Sequence, residues 1–135
     1  MPSLRRAQRR PAPHVAFGQL ASRFASACID ISDGLAQDLQ HVCDASGVGA
    51  ELSRDALPIS RALMQRAPHE ALQWALTGGE DYVLLLCVPA TRRARFEQAA
   101  ARENLAAHRI GVITRGSAVS LDGKKLKGTL GFQHR

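Results

Sequence analysis

Two periodicities alternate along the 135-residue chain. Val15, Ala16, Leu20 and Phe24 fall at helical spacing after Pro13, which predicts a short helix over residues 14–24. Ala25 to Ile31 is small and apolar and reads as a strand, although alanine is a weak strand former. From Ser32 the period changes. Leu35, Leu39, Val42, Cys43 and Ser46 recur at i, i+4, i+7, i+8 and i+11, and Gly47 then offers a left-handed stop, so a helix is predicted from Ser32 or Asp33 to Gly47.

Val48 to Leu52 alternates and suits a strand. A Pro58-marked loop leads to a weak helix over Arg61–Arg66 and, after Pro68, to a second helix from Glu70 to Thr77 that Gly78-Gly79 would end. Asp81 to Val88 is almost continuously apolar, the pattern of a central strand covered on both faces. Pro89 and Thr91 open a charged helix to about Asn104, with Ala94, Phe96, Ala99, Ala100 and Ala101 among its apolar positions. His108 to Ile113 is another strand. Val119–Leu121 and Lys124–Leu126 flank Asp122-Gly123, a two-residue hairpin signal. Strands alternating with helices and closed by a hairpin predict an α/β (α+β) fold, a mixed β-sheet with helices packed on it.

Composition changes this picture little. Hydrophobic residues make up 45% and charged residues 22%, one ordinary domain's worth of core. No apolar run approaches the roughly 20 residues of a membrane helix, and no signal-peptide core follows Met1, so the expected setting is the cytoplasm with no membrane partner. The net charge of +6 is uneven. Arg5, Arg6, Arg9, Arg10 and Arg23 give residues 1–24 a charge of +5 without one acid, which leaves the body at +1. Such an arm can attract phosphate backbones, but a solvated linker or leader over residues 1–13 is the simpler reading. Four Phe, one Tyr and one Trp are too dispersed for a base-stacking platform, and nucleic acid is not the expected partner. Pro11 and Pro13 interrupt any amphipathic transit helix. Cys28, Cys43 and Cys87 lack C-x-x-C spacing and predict reduced, packed thiols. The five histidines form no metal-ligating pair.

The chemistry-bearing stretch is IDISDG, Ile29 to Gly34. A strand ending at Ile31 and a helix starting near Ser32 or Asp33 would put both acids at a helix N-terminus. Unpaired N–H groups there favour anions, so a phosphate could rest on those amides with Gly34 leaving room. Magnesium prefers carboxylates, phosphate oxygens and water, which suits Asp30 and Asp33, with the Ser32 hydroxyl on a phosphate. The competing reading is a Ser or Asp helix cap, which spacing alone favours. Asp38 and Asp44 read most simply as solvated surface. In TGGEDY, Thr77 to Tyr82, Gly78-Gly79 reads as a helix cap. Glu80 and Asp81 then stand where a buried strand begins and need partners, either a substrate or a basic side chain. Phe132, within the terminal GFQHR, could stack on a flat ligand or plug a core edge.

IDISDGLAQDLQHVCDASGVGAEL, LPIS and ALQWALTGGEDYVLLLCVP resemble, in order and spacing, the C-terminal domain of thiamine-monophosphate kinases, within the aminoimidazole-ribonucleotide-synthetase superfamily. The likeness runs from about Arg10 to Phe132. It implies a kinase C-terminal domain over residues 14–135. It also implies ATP- and Mg²⁺-dependent conversion of thiamine monophosphate to thiamine diphosphate. Asp30 and Asp33 would bind magnesium, Ser32 would contact ATP, and Glu80 and Phe132 would contact the thiamine phosphate. No catalytic nucleophile is implied if the substrate phosphate attacks directly. The sequence departs from the family at Val83, where GGEDYEL becomes GGEDYVL, and at Gln133 and Arg135 in the terminal motif. It also begins at the family's inter-domain segment. The N-terminal kinase domain is therefore an expected partner, and the chain alone is expected to have negligible kinase activity. A non-enzymatic module that binds a thiamine phosphate, a nucleotide or a protein is the alternative.

Overall fold

The computed structural model describes residues 14–78 and 83–126. The basic stretch 1–13, Glu80 and Phe132 therefore lie outside the described residues. Helix α1 (Val15–Phe24) buries Leu20 and Ala21 and leads into strand β1 (Ala27–Asp30). Helix α2 (Leu35–Ser46) buries Leu35, Ala36, Leu39 and Cys43, the predicted stripe, and stops at Gly47 with φ 64°. There the Val48 N–H closes back on the Cys43 carbonyl at 3.1 Å, the wrapped-back bond of a left-handed helix end. Strand β2 (Gly49–Leu52), a 3₁₀ turn (Arg54–Ala56) and the short helices α3 (Arg61–Arg66) and α4 (Ala71–Thr77) follow. Then come β3 (Leu84–Cys87), a 3₁₀ turn (Ala90–Arg92), α5 (Arg93–Arg102), β4 (Gly111–Thr114), β5 (Val119–Leu121) and β6 (Lys124–Lys125).

The mixed α/β architecture is the one predicted. A four-stranded sheet runs β4-β2-β5-β6, with β2 parallel to β5 and antiparallel to β4. Leu35, Leu39 and Cys43 of α2 pack on Ala50 and Leu52 of β2 and on Val119 and Leu121 of β5. Each fully buried leucine of this kind contributes about 2 kcal/mol. A smaller cluster joins α1 to α5, where Phe17 and Phe24 meet Phe96 edge-on at 6.1 and 6.0 Å beside Leu20 and Ala100.

Strand β3 differs from expectation. Among the described residues it pairs only with β1, in a two-stranded antiparallel ribbon with Asp30 opposite Leu84. Its apolar run reports two-sided packing rather than two hydrogen-bonded neighbours. Leu85 joins the sheet core while Leu86 packs into the aromatic cluster behind it. The other predicted elements shift by a few residues, as with β4, which begins at Gly111 rather than His108.

Candidate functional site

The ribbon ends where the polar motif begins. Asp30 closes β1, and the Ile31 N–H donates to the Val83 carbonyl at 2.8 Å. The chain then turns through Ser32, Asp33 and Gly34 before α2 starts at Leu35. The N–H groups of Ser32, Asp33 and Gly34 all donate to one oxygen, Asp38 Oδ2, at 2.9, 3.0 and 3.2 Å. Asp38 is 2% exposed and is the single buried polar or charged residue among the described residues. Its own N–H donates to the Gly34 carbonyl at 2.9 Å, so one residue both continues the first helical turn and closes it from behind. The other oxygen, Oδ1, lies 3.9 Å from Nδ1 of the exposed His41.

Three successive N–H groups converging on one point form an anion-binding nest. This nest is filled by the chain's own carboxylate, which corrects three expectations. The helix starts at Leu35 rather than at Ser32 or Asp33. Its N-cap residue is Gly34 rather than Ser32 or Asp33. Asp38 is buried, not solvated. Those amides are therefore engaged rather than open to phosphate. The sequence carried a signal for this, because Asp38 sits three positions after Leu35 and one before Leu39, on the apolar stripe. Asp44 does lie on the surface, accepting from Gln40 Nε2 at 2.7 Å.

Gly34 joins this loop to the second motif. Its φ of 127° is closed to ordinary side chains, and a Cβ there would stand 3.1 Å from the Thr77 backbone. What comes close to Gly34 is thus the end of α4. Gly78 caps that helix in an extended conformation (φ −68°), its N–H donating to the Trp74 carbonyl at 2.7 Å. Glycine is needed here for space, because a Cβ would lie 2.4 Å from that same carbonyl oxygen. The structure therefore brings the Asp30–Gly34 loop against Thr77 and Val83, the two ends of the second motif's described chain.

Asp30 is exposed, and Ser32 and Asp33 are half-buried. Magnesium sites in phosphate-handling proteins often use one or two carboxylates with substrate phosphates and water, and this donor set is of that kind. Among the described residues no group of three or more His, Cys, Asp or Glu could hold a metal alone. Two of the three free thiols depart from the packed state expected of them, Cys28 being exposed and Cys87 half-buried, while Cys43 is buried. Burial raises the Cys28 thiol above its ordinary value, and the nearby Asp30 carboxylate raises it further. A separate cleft of about 340 Å³ lies over β2 and β4, lined by Glu51, Arg109 and Asp122 among others, and includes no residue of the motif.

Residues 7–124 match the family model described as AIR synthase related protein, C-terminal domain. The thiamine-monophosphate kinase of Salmonella typhimurium is 48% identical over 91 residues, which are 67% of this chain and 28% of that protein. The crystal structure of thiamine-monophosphate kinase from Stenotrophomonas maltophilia K279a superposes with a TM-score of 0.86 at 39% identity, over 92% of this chain and 40% of that one. A structure of AaThiL complexed with AMPPCP and TMP gives a TM-score of 0.81 at 32% identity, over 96% and 40%. The chain thus spans well under half the length of these relatives.

Proposed function

The chain belongs to the family of AIR synthase related C-terminal domains, and we propose that it acts as the C-terminal part of a thiamine-monophosphate kinase. The proposed reaction transfers the γ-phosphoryl group of ATP to thiamine monophosphate, giving thiamine diphosphate in the cytoplasm. The observation that carries this reading is the meeting of the two motifs, with Gly34 seated on Thr77 and Ile31 bonded to Val83. A neighbouring fold bound to AMPPCP and TMP, read as an ATP analogue and thiamine monophosphate, supports the substrate pair.

In this reading Asp30 and Asp33 hold Mg²⁺, Ser32 contacts the nucleotide, and Glu80 and Phe132 contact the thiamine phosphate. The metal would neutralise charge between phosphate groups, the main requirement of phosphoryl transfer. The chain's own contribution is positional, because the ribbon and α2 fix the loop that carries the two acids. Val83, where the family has an acid, still supplies its carbonyl to Ile31, so that departure leaves the loop's anchor intact. The relatives are more than twice this chain's length, so turnover needs the remaining N-terminal kinase domain.

The test combines the purified chain with a thiamine-monophosphate kinase N-terminal domain, ATP, Mg²⁺ and thiamine monophosphate. Turnover is expected only in the mixture, and Asp30→Ala or Asp33→Ala should abolish it. Full activity in both variants would remove the metal assignment, and turnover by the chain alone would overturn its dependence on a second part. Calorimetric binding of thiamine monophosphate without turnover in any mixture would favour a non-enzymatic binding module.

A further inference from the structure

We propose that Asp38 is a positioning residue. Its buried carboxylate fills the amide nest of Ser32, Asp33 and Gly34, so that the loop receives phosphate only as a divalent-cation complex. This inference rests on the reading of Asp30 and Asp33 as cation ligands.

A nest at the start of a helix ordinarily attracts a bare anion, because several N–H dipoles point at one spot. Here that spot holds Asp38 Oδ2, within 3.2 Å of all three amides. The carboxylate is tethered to α2 and buried, so an incoming phosphate would have to displace a group already in place. Local charge acts in the same direction. The loop and the first turn of α2, residues 30–38, contain Asp30, Asp33 and Asp38 but no lysine or arginine. A bare phosphate approaching this loop meets carboxylates, with the exposed imidazole of His41 3.9 Å behind them at Asp38 Oδ1. A divalent cation reverses that balance and bridges acid to phosphate.

The filled nest also sets geometry. The three donated hydrogen bonds hold the loop backbone, Gly34 rests on Thr77, and the loop is left to present side chains rather than N–H groups. Asp38 therefore acts through Asp30 and Asp33 and needs no contact with substrate.

The test uses the full chain labelled with ¹⁵N. Hydrogen exchange is read at the three loop amides, Mn²⁺ serves as a paramagnetic probe, and inorganic phosphate is titrated with and without Mg²⁺. The wild-type chain should protect the three amides, show Mn²⁺ broadening near Asp30 and Asp33, and show no phosphate-dependent shift of those amides without a cation. Asp38→Asn keeps the side-chain shape while removing the charge. It should speed exchange at the three amides roughly tenfold, the equivalent of about 1.4 kcal/mol, and weaken Mn²⁺ binding by a similar factor. Chemical shifts in β2 and α5 should stay unchanged, which a general disruption of the fold would not allow.

Unchanged exchange and Mn²⁺ affinity in Asp38→Asn would overturn the proposal. So would saturable, cation-free phosphate binding that shifts the three wild-type amides. If Asp38→Asn does not fold, that wild-type titration decides. Protected amides without Mn²⁺ broadening would overturn the cation reading and the proposed selectivity. Unprotected amides would overturn the filled nest itself.

Discussion

Two glycine-bearing turns, Ser32–Gly34 and Asp122–Gly123, solve one problem in different surroundings. The first leaves three backbone N–H groups and the second one, and each hands them to a carboxylate on a neighbouring element. At the first turn Asp38 accepts three N–H groups while almost wholly buried. At the second, Glu51 on β2 accepts the Gly123 N–H at 2.5 Å and the Ser120 hydroxyl, beside a turn that is open to water. Solvent can replace Glu51 at an exposed hairpin. It cannot readily reach the amides that Asp38 serves, so the same bonding pattern carries a different free-energy cost of loss.

The sharpest test of that contrast removes both acceptors. Asp38→Ala should destabilise the chain by about 2–4 kcal/mol, because it strands one buried and two half-buried donors and leaves space behind them. Glu51→Ala should cost about 1 kcal/mol, since its donors can turn to water. Urea unfolding of the two variants against the wild type measures the difference. Equal losses would mean that water enters the Ser32–Gly34 loop as freely as the hairpin.

A smaller effect separates the two glycines. Gly34 has φ 127° and stands against the Thr77 backbone at 3.1 Å. Gly123 has φ 79° with nothing within 4 Å of an added Cβ. Alanine at position 123 therefore meets only conformational strain, about 1 kcal/mol. Alanine at position 34 meets strain and a backbone that cannot move away, about 2–3 kcal/mol. Thermal unfolding should rank Gly34→Ala below Gly123→Ala. The reverse order would show that the contact with α4 gives way easily.

The same contrast explains what the sequence disclosed. Asp122-Gly123 is a local code, two residues with positive φ that set the hairpin between flanking strands, and it could be read directly. The stripe of α2 and its stop at Gly47 were also legible, because periodicity and a terminal glycine act within one element. At Ser32–Gly34 the decisive acceptor lies inside the following helix. Polar residues before an apolar stripe imitated a cap, and the acid on the stripe passed for surface. Strand β3 misled for a related reason, since an apolar run records what covers a strand and not how many strands bond to it. Burial and pairing are made by distant parts of the chain, and only the folded structure joins them.

The smallest expected effect tests the charge of Asp30 in front of the first turn. Cys28 lies two residues before Asp30 on the exposed side of β1, and its thiol is raised above the ordinary value of 9.0 by burial and then by Asp30. The thiolate is the form that reacts with an alkylating agent, so both causes slow the reaction at mildly alkaline pH. Asp30→Asn removes the second cause, returns the thiol toward 9.0 and should speed Cys28 alkylation, read by peptide mass spectrometry with buried Cys43 as the slow control. Mg²⁺ held by Asp30 would offset the same charge, so adding it should speed the reaction in the wild type and leave Asp30→Asn unchanged. An Asp30→Asn effect without any Mg²⁺ effect would keep the Asp30–Cys28 coupling and exclude a cation on Asp30 in the chain alone. In that case the proposed metal site would need the phosphate ligand, or the proposed N-terminal domain, before it could form.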